Sequence, residues 1–149
     1  MEIKKILFPT DFSEGAMNAL PYAVDLAKSY GAQLYLMHVI YDIATASGLY
    51  VPHISVGEMY KELEASAQKE LERFGMDLRT GLKDVQSILR KGVPYEEILK
   101  YSQEEAIDLI VIGTHGRKGI DRVLFGSTAE RVVRNSLCPV LTVREPHKK

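Results

Sequence analysis

The chain reads as one α/β domain in which helices cover a mostly parallel sheet. Three observations predict it. Strand-like and helix-like segments alternate along the chain, which is the pattern of successive βαβ units. Leu109-Ile110-Val111-Ile112 is apolar at consecutive positions, marking a strand covered on both faces. The length of 149 residues, 46% hydrophobic and 26% charged, suits a single domain, 1–149, with a core large enough to need no cross-link.

Residues 3–8 form the first strand, and Pro9 closes it. Asp11 or Ser13 is placed to cap the first helix. Small and apolar residues then recur at Ala16, Ala19, Leu20, Ala23, Val24, Ala27 and Tyr30, which is helical spacing. Gly31 supplies the stop. Residues 34–40 are the second strand. Residues 41–57 contain Gly48, Pro52 and Gly57, show no period, and exceed most connections in compact domains. They suit a lid, an interface or a mobile loop.

A long helix comes next, over about 58–82, with Met59, Leu63, Ala67, Leu71, Phe74 and Leu78 as its buried stripe. Gly75 costs about 1 kcal/mol against Ala inside it, with no visible compensation. Residues 85–89 are the third strand. Pro94 suits the first turn of a helix, whose apolar face begins at Ile98 and Leu99. Residues 109–112 form the fourth strand, 127–135 the last helix and 139–143 the closing strand. A polar tail ends the chain.

Charge and composition exclude several classes. Lys+Arg 19 against Asp+Glu 20 gives a net charge of -1, whereas nucleic-acid binders carry a basic excess. No apolar stretch approaches the ~20 residues of a membrane span, so neither a nucleic-acid nor a membrane partner is expected. A lone cysteine, Cys138, cannot form an intramolecular disulfide. It reads as a small buried group. With no signal-peptide pattern, a reducing, cytoplasmic setting is expected.

A ligand of an open α/β sheet sits beyond the carboxyl ends of the strands, where the strand order reverses. The residues in that position are Pro9, Thr10 and Asp11 after the first strand and Val39 near the end of the second. After the fourth come Gly113, Thr114, His115, Gly116 and Arg117, and Gly126, Ser127 and Thr128 open the last helix. Glycines there let the backbone turn and present its N–H groups, and a helix N-terminus receives anions. Arg117, Lys118 and Arg122 add positive potential. Alone, these residues more often mean ordinary turns and caps. His115 reads as an exposed loop residue before a phosphate contact, and His38 as a packed strand residue with one hydrogen bond. The histidines and Cys138 lack zinc-ligand spacing. The G-x-S-x-G elbow, the Walker loop and the G-x-G-x-x-G fingerprint are absent, and no general base for an attacking water stands out.

Gly113, Gly116, nine residues, then Gly126 and Ser127 resemble the ATP-binding signature of the universal stress protein family. Lys4-Lys5-Ile6-Leu7-Phe8-Pro9-Thr10-Asp11-Phe12-Ser13 resembles its opening strand and turn, and Cys138-Pro139-Val140-Leu141-Thr142-Val143 its closing strand. The resemblance implies a three-layer sandwich, a five-stranded parallel sheet of order 3-2-1-4-5 with four helices, the adenine-nucleotide alpha-hydrolase-like fold. It implies ATP as ligand, with ADP or AMP as alternatives, accompanied by Mg²⁺. Pro9, Thr10 and Asp11 would line the nucleoside end, and a backbone group near Val39 would meet the adenine edge. Gly113, Thr114, His115, Gly116, Arg117, Gly126, Ser127 and Thr128 would take the ribose and phosphates. A homodimer through the last strand, Val140–Val143, is also implied. The function so expected is a nucleotide-binding stress or regulatory module with slow or partner-dependent hydrolysis at most. The alternatives are an interaction module with no nucleotide and a nucleotide-transferring enzyme.

Overall fold

Five strands lie parallel in the order β3-β2-β1-β4-β5. They are β1 (Lys5–Pro9), β2 (Gln33–Tyr41), β3 (Val85–Gly92), β4 (Leu109–Gly113) and β5 (Val140–Val143). The structure is a computed structural model that describes residues 1–42, 53–82, 84–114 and 126–146, except the side chains of 53–56. Its helices are α1 (Glu14–Met17), α2 (Leu20–Tyr30), α3 (His53–Arg79), α4 (Pro94–Glu104) and α5 (Ser127–Asn135). α1 is a single turn. The other four are the helices of the expected sandwich.

The two-residue period of a strand divides the core. On β1, Ile6 and Phe8 face one way and join Leu34, Leu36, Val111, Ala23, Ala27 and Leu71, under α2 and α3. Leu7 faces the other way and joins Met37, Ile110, Ile112, Ile98 and Val132, under α4 and α5. Ile6, Leu7 and Phe8 are fully buried, worth about 1.5–3 kcal/mol each. At the amino end of the sheet, Asp108 Oδ2 accepts the N–H groups of Lys4 and Lys5, both at 2.9 Å, and so joins the start of β1 to β4. Gly31 ends α2 in the left-handed region at φ 63°, as its position predicts.

Several expectations change. The first helix is broken at Asn18 and Ala19, because Pro21 stands in the first turn of α2 and opens a new helix there. α3 begins at His53, so the connection after β2 is shorter than expected; its residues 43–52 lie outside the described ones. Met59 and Leu63 are exposed, and Tyr60 is buried with Ile40 and Ala67. The stripe runs one residue round from the expected one at its start. Gly75 has its compensation: a Cβ there would lie 2.9 Å from Ser87 Oγ, so the missing side chain lets α3 close onto β3. β3 itself continues to Gly92, held by an eight-residue register with β2. Cys138 is partly buried, packed against the core on the Leu7 side of the sheet, beside Ser136 Oγ, which donates to its carbonyl at 2.8 Å.

Candidate functional site

β1 and β4 are neighbours, and β2 leaves the other side of β1. Their carboxyl ends therefore open at one place, the reversal point of the sheet. A cleft of about 400 Å³ lies there, within the usual size range of small-molecule sites. Pro9, Thr10, Asp11, Val39, Gly113, Thr114, Gly126, Ser127 and Thr128 all line it. These are nine of the twelve residues singled out in the sequence. The other three, His115, Gly116 and Arg117, lie outside the described residues.

The turn after β1 is built from side-chain bonds. Thr10 N–H donates to Met37 C=O at 2.8 Å, the last step of the β1–β2 ladder. Phe12 N–H donates to Thr10 Oγ1 at 2.9 Å. Asp11 Oδ1 accepts the Ser13 N–H at 2.9 Å and the Ser13 hydroxyl. Ser13 is then the N-cap of α1, accepting the Ala16 N–H at 3.2 Å. Of the two expected caps Ser13 has the role, and Asp11 orients it. His38, half-buried in β2, bonds Thr10 C=O through Nδ1 at 2.8 Å.

The other wall comes from β4 and α5. Gly113 is bare for packing: a Cβ would lie 2.6 Å from Gly15 O and 2.9 Å from Ala16 Cα. Its missing side chain lets the first turn of α1 approach β4. Thr114 is buried, and its main chain spans two elements. Its N–H donates to Val143 C=O at 3.0 Å, and its C=O accepts the Gly126 N–H. The Gly126 amide is thus engaged within the fold. The amides of Ser127, Thr128 and Ala129 precede the first intrahelical bond, Glu130 N–H to Gly126 C=O at 2.9 Å, and helix geometry leaves them directed out of the N-terminus. Among the described residues no side chain caps α5.

Sequence reasoning missed the apolar floor. Ala16, Met37, Pro94, Ile98, Ile112 and Ala129 also line the cleft. The signal for Met37 and Ile112 was available, since each ends the apolar run of its strand. Pro94 and Ile98 come in from α4, whose approach depends on the crossover after β3. The lining combines this apolar floor with the Asp11 carboxylate and, at the α5 N-terminus, the Ser127 and Thr128 hydroxyls. A flat heterocycle fits the apolar floor and an anion the helix N-terminus. Among the described residues no group of three or more His, Cys, Asp or Glu could hold a metal ion. None of the helices among them is long and apolar enough to cross a membrane.

The model of the universal stress protein family matches residues 2–144. Universal stress protein MJ0531 of Methanocaldococcus jannaschii is 36% identical over 148 residues, covering 98% of this chain and 85% of that one. The solved structure of universal stress protein UspA from Lactobacillus plantarum superposes with a TM-score of 0.86 at 28% identity, over 97% of this chain and 99% of that one. The fold recurs at 22% identity and TM-score 0.70 in a universal stress protein in complex with cAMP, over 97% and 98% of the two chains. It recurs again at 17% and 0.70 in an Arabidopsis thaliana family protein with AMP bound, over 96% and 92%. From the family match across nearly all of its length and the relative above 30% identity, the chain belongs to the universal stress protein family.

Proposed function

We propose that the protein binds an adenine nucleotide, ATP in the first place, in the cleft at the β1–β4 junction. It acts as a regulatory or stress-response module of the cytoplasm rather than as a fast hydrolase. One observation carries the reading: residues from three separated parts of the sequence, Asp11, Val39 and Gly126-Ser127-Thr128, line a single cleft. Fold neighbours with cAMP and with AMP bound agree with it at the level of the fold.

In this reading the adenine lies on the floor of Met37, Ile98 and Ile112, with its edge at the Val39 main chain. Asp11 accepts a hydrogen bond from the ribose. The N–H groups of Ser127, Thr128 and Ala129 and the two hydroxyls receive phosphate, favoured by the positive end of the α5 dipole. Each charge-assisted bond there is worth about 1.5–3 kcal/mol. The family resemblance assigns His115, Gly116 and Arg117, outside the described residues, to the phosphates as well. A Mg²⁺ ion would enter with the triphosphate and take its ligands from phosphate and water.

Heat-denaturing the purified protein and chromatographing the released small molecules tests the reading, together with calorimetric titration of ATP, ADP and AMP. An adenine nucleotide in the extract or saturable binding is expected, with phosphate release near background. No release and no heat with any of the three would favour an interaction module with no nucleotide. Rapid phosphate release would favour an enzyme. We also infer a homodimer through β5. That strand is an edge of the sheet, and Leu137 before it is 83% exposed. An apolar edge of this kind invites a partner.

A further inference from the structure

Past Met37 the β1–β2 ladder should take one more step. In a parallel pair the Val39 N–H would donate to Thr10 C=O, and Val39 C=O would accept the Phe12 N–H. Both partners are taken elsewhere. Thr10 C=O meets the His38 imidazole, Nδ1 to O 2.8 Å. Phe12 N–H goes to Thr10 Oγ1 at 2.9 Å. A carbonyl oxygen only accepts, so Nδ1 carries the proton. The chain leaves β1 at this point with Phe12 at φ 63°, an unfavourable conformation for a bulky residue. Its ring is held 4.7 Å from the His38 ring and 5.8 Å from the Phe74 ring, nearly parallel to the latter.

We infer that His38 is a positioning residue of the adenine seat: its Nδ1–H occupies the Thr10 carbonyl that a continuing strand would offer to Val39. Val39 lines the cleft, and its main chain is thereby kept open for a ligand edge. The same bond fixes the Thr10–Asp11 peptide plane. In a trans peptide the next N–H points opposite to the C=O, so the turn that carries Asp11 is set by the same contact. The inference rests on the adenine-nucleotide reading above and names the residue that shapes one end of that site.

His38→Phe keeps a ring beside Phe12 and removes the donor. His38→Asn removes the ring and keeps a donor near the Nδ1 position. Titrations with ATP, adenosine and tripolyphosphate separate the two ends of the cleft. His38→Phe should weaken adenosine and ATP at least tenfold, about 1.4 kcal/mol, and leave tripolyphosphate unchanged. His38→Asn should return adenosine to within about threefold of the parent chain, since a tenfold change needs about 1.4 kcal/mol. Unchanged adenosine affinity in His38→Phe, or equal losses in both variants, overturns the inference. If the unsubstituted protein binds no adenine nucleotide, the functional reading fails, and two ligand-free measurements still judge His38. Long-range ¹H–¹⁵N spectra should give the Nδ1-protonated tautomer, and the Val39 amide should exchange fast, slowing in His38→Phe as Thr10 C=O closes onto it. The Nε2-protonated tautomer, or a Val39 amide protected from the outset, overturns it.

Discussion

Gly113 and Gly75 are both bare because something packs where a Cβ would be, and the two obstacles differ in kind. At Gly113 the obstacle is the backbone of Gly15 and Ala16, at 2.6 and 2.9 Å. Backbone cannot rotate away, so Gly113→Ala should push α1 from β4. A loss of about 1–3 kcal/mol is expected, the range of overpacked cores, read by urea unfolding. At Gly75 the obstacle is Ser87 Oγ at 2.9 Å, a hydroxyl that can turn at the loss of its bond to Leu71 C=O. Ala also recovers about 1 kcal/mol of helix propensity. Gly75→Ala should therefore stay within about 1 kcal/mol of the parent chain, and equal losses at the two sites would contradict this account. Neither reason was legible in the sequence, because each obstacle comes from another element that only the fold brings close. Tyr101 makes a residue-scale prediction of its own. Burial first, then the nearby Glu105 and Tyr35, push its phenol up to about 12. The folded chain keeps this proton above pH 10, where the unfolded chain loses it. Stability is therefore fully present below about pH 10 and falls as pH rises toward 12, by roughly 2–3 kcal/mol for two units. Tyr101→Phe should flatten that part of the stability curve in urea titrations at successive pH values. An unchanged slope would mean the phenol ionises freely.

Elements were legible wherever a local pattern decided them. The Leu109–Gly113 strand, the stop at Gly31 and α5 follow from neighbouring residues alone. The face of α3 was not legible, because the start of this 27-residue helix turns Tyr60 onto the sheet, where it packs with Ile40 of β2 and Ala67. That leaves Met59 and Leu63 exposed although their spacing suits a core. β5 gives an element-scale prediction. Ile110 N–H donates to Pro139 C=O and Thr114 N–H to Val143 C=O. By alternation, Val140 and Thr142 direct their amides to the open edge. Thr142→Pro then removes an outward donor and leaves the β4 ladder intact, a substitution tolerated on edge strands. Sedimentation should show the dimer proposed above shifting to monomer, with the circular dichroism of a folded chain. A dimer that survived unchanged would place the interface elsewhere.

At the scale of the whole molecule, alternation of segments was enough for the class, but strand order came from the resemblance of the glycine-bearing signature to a family. Order matters because it decides which loops meet. With β1 beside β4, Asp11 and Thr114 share a cleft although about a hundred residues separate them, and β5 braces the far wall through Thr114 N–H and Val143 C=O. The cleft is thus walled by elements from both ends of the chain, and a ligand filling it would cross-link them without a covalent bond. A nucleotide that binds the folded chain alone should stabilise it by mass action, about 2.7 kcal/mol at a hundred times Kd. For a domain of this size each kcal/mol is worth roughly 2–4 °C, so saturating ATP should raise Tm by roughly 5–11 °C. Tripolyphosphate, which reaches only the α5 end, should give a smaller shift, because the floor of Met37, Ile98 and Ile112 stays wet. Calorimetric melting with each ligand distinguishes the cases. Equal shifts from ATP and tripolyphosphate would mean that the apolar half of the cleft takes no part in binding, and the base would then have no seat between β1, β2 and α4.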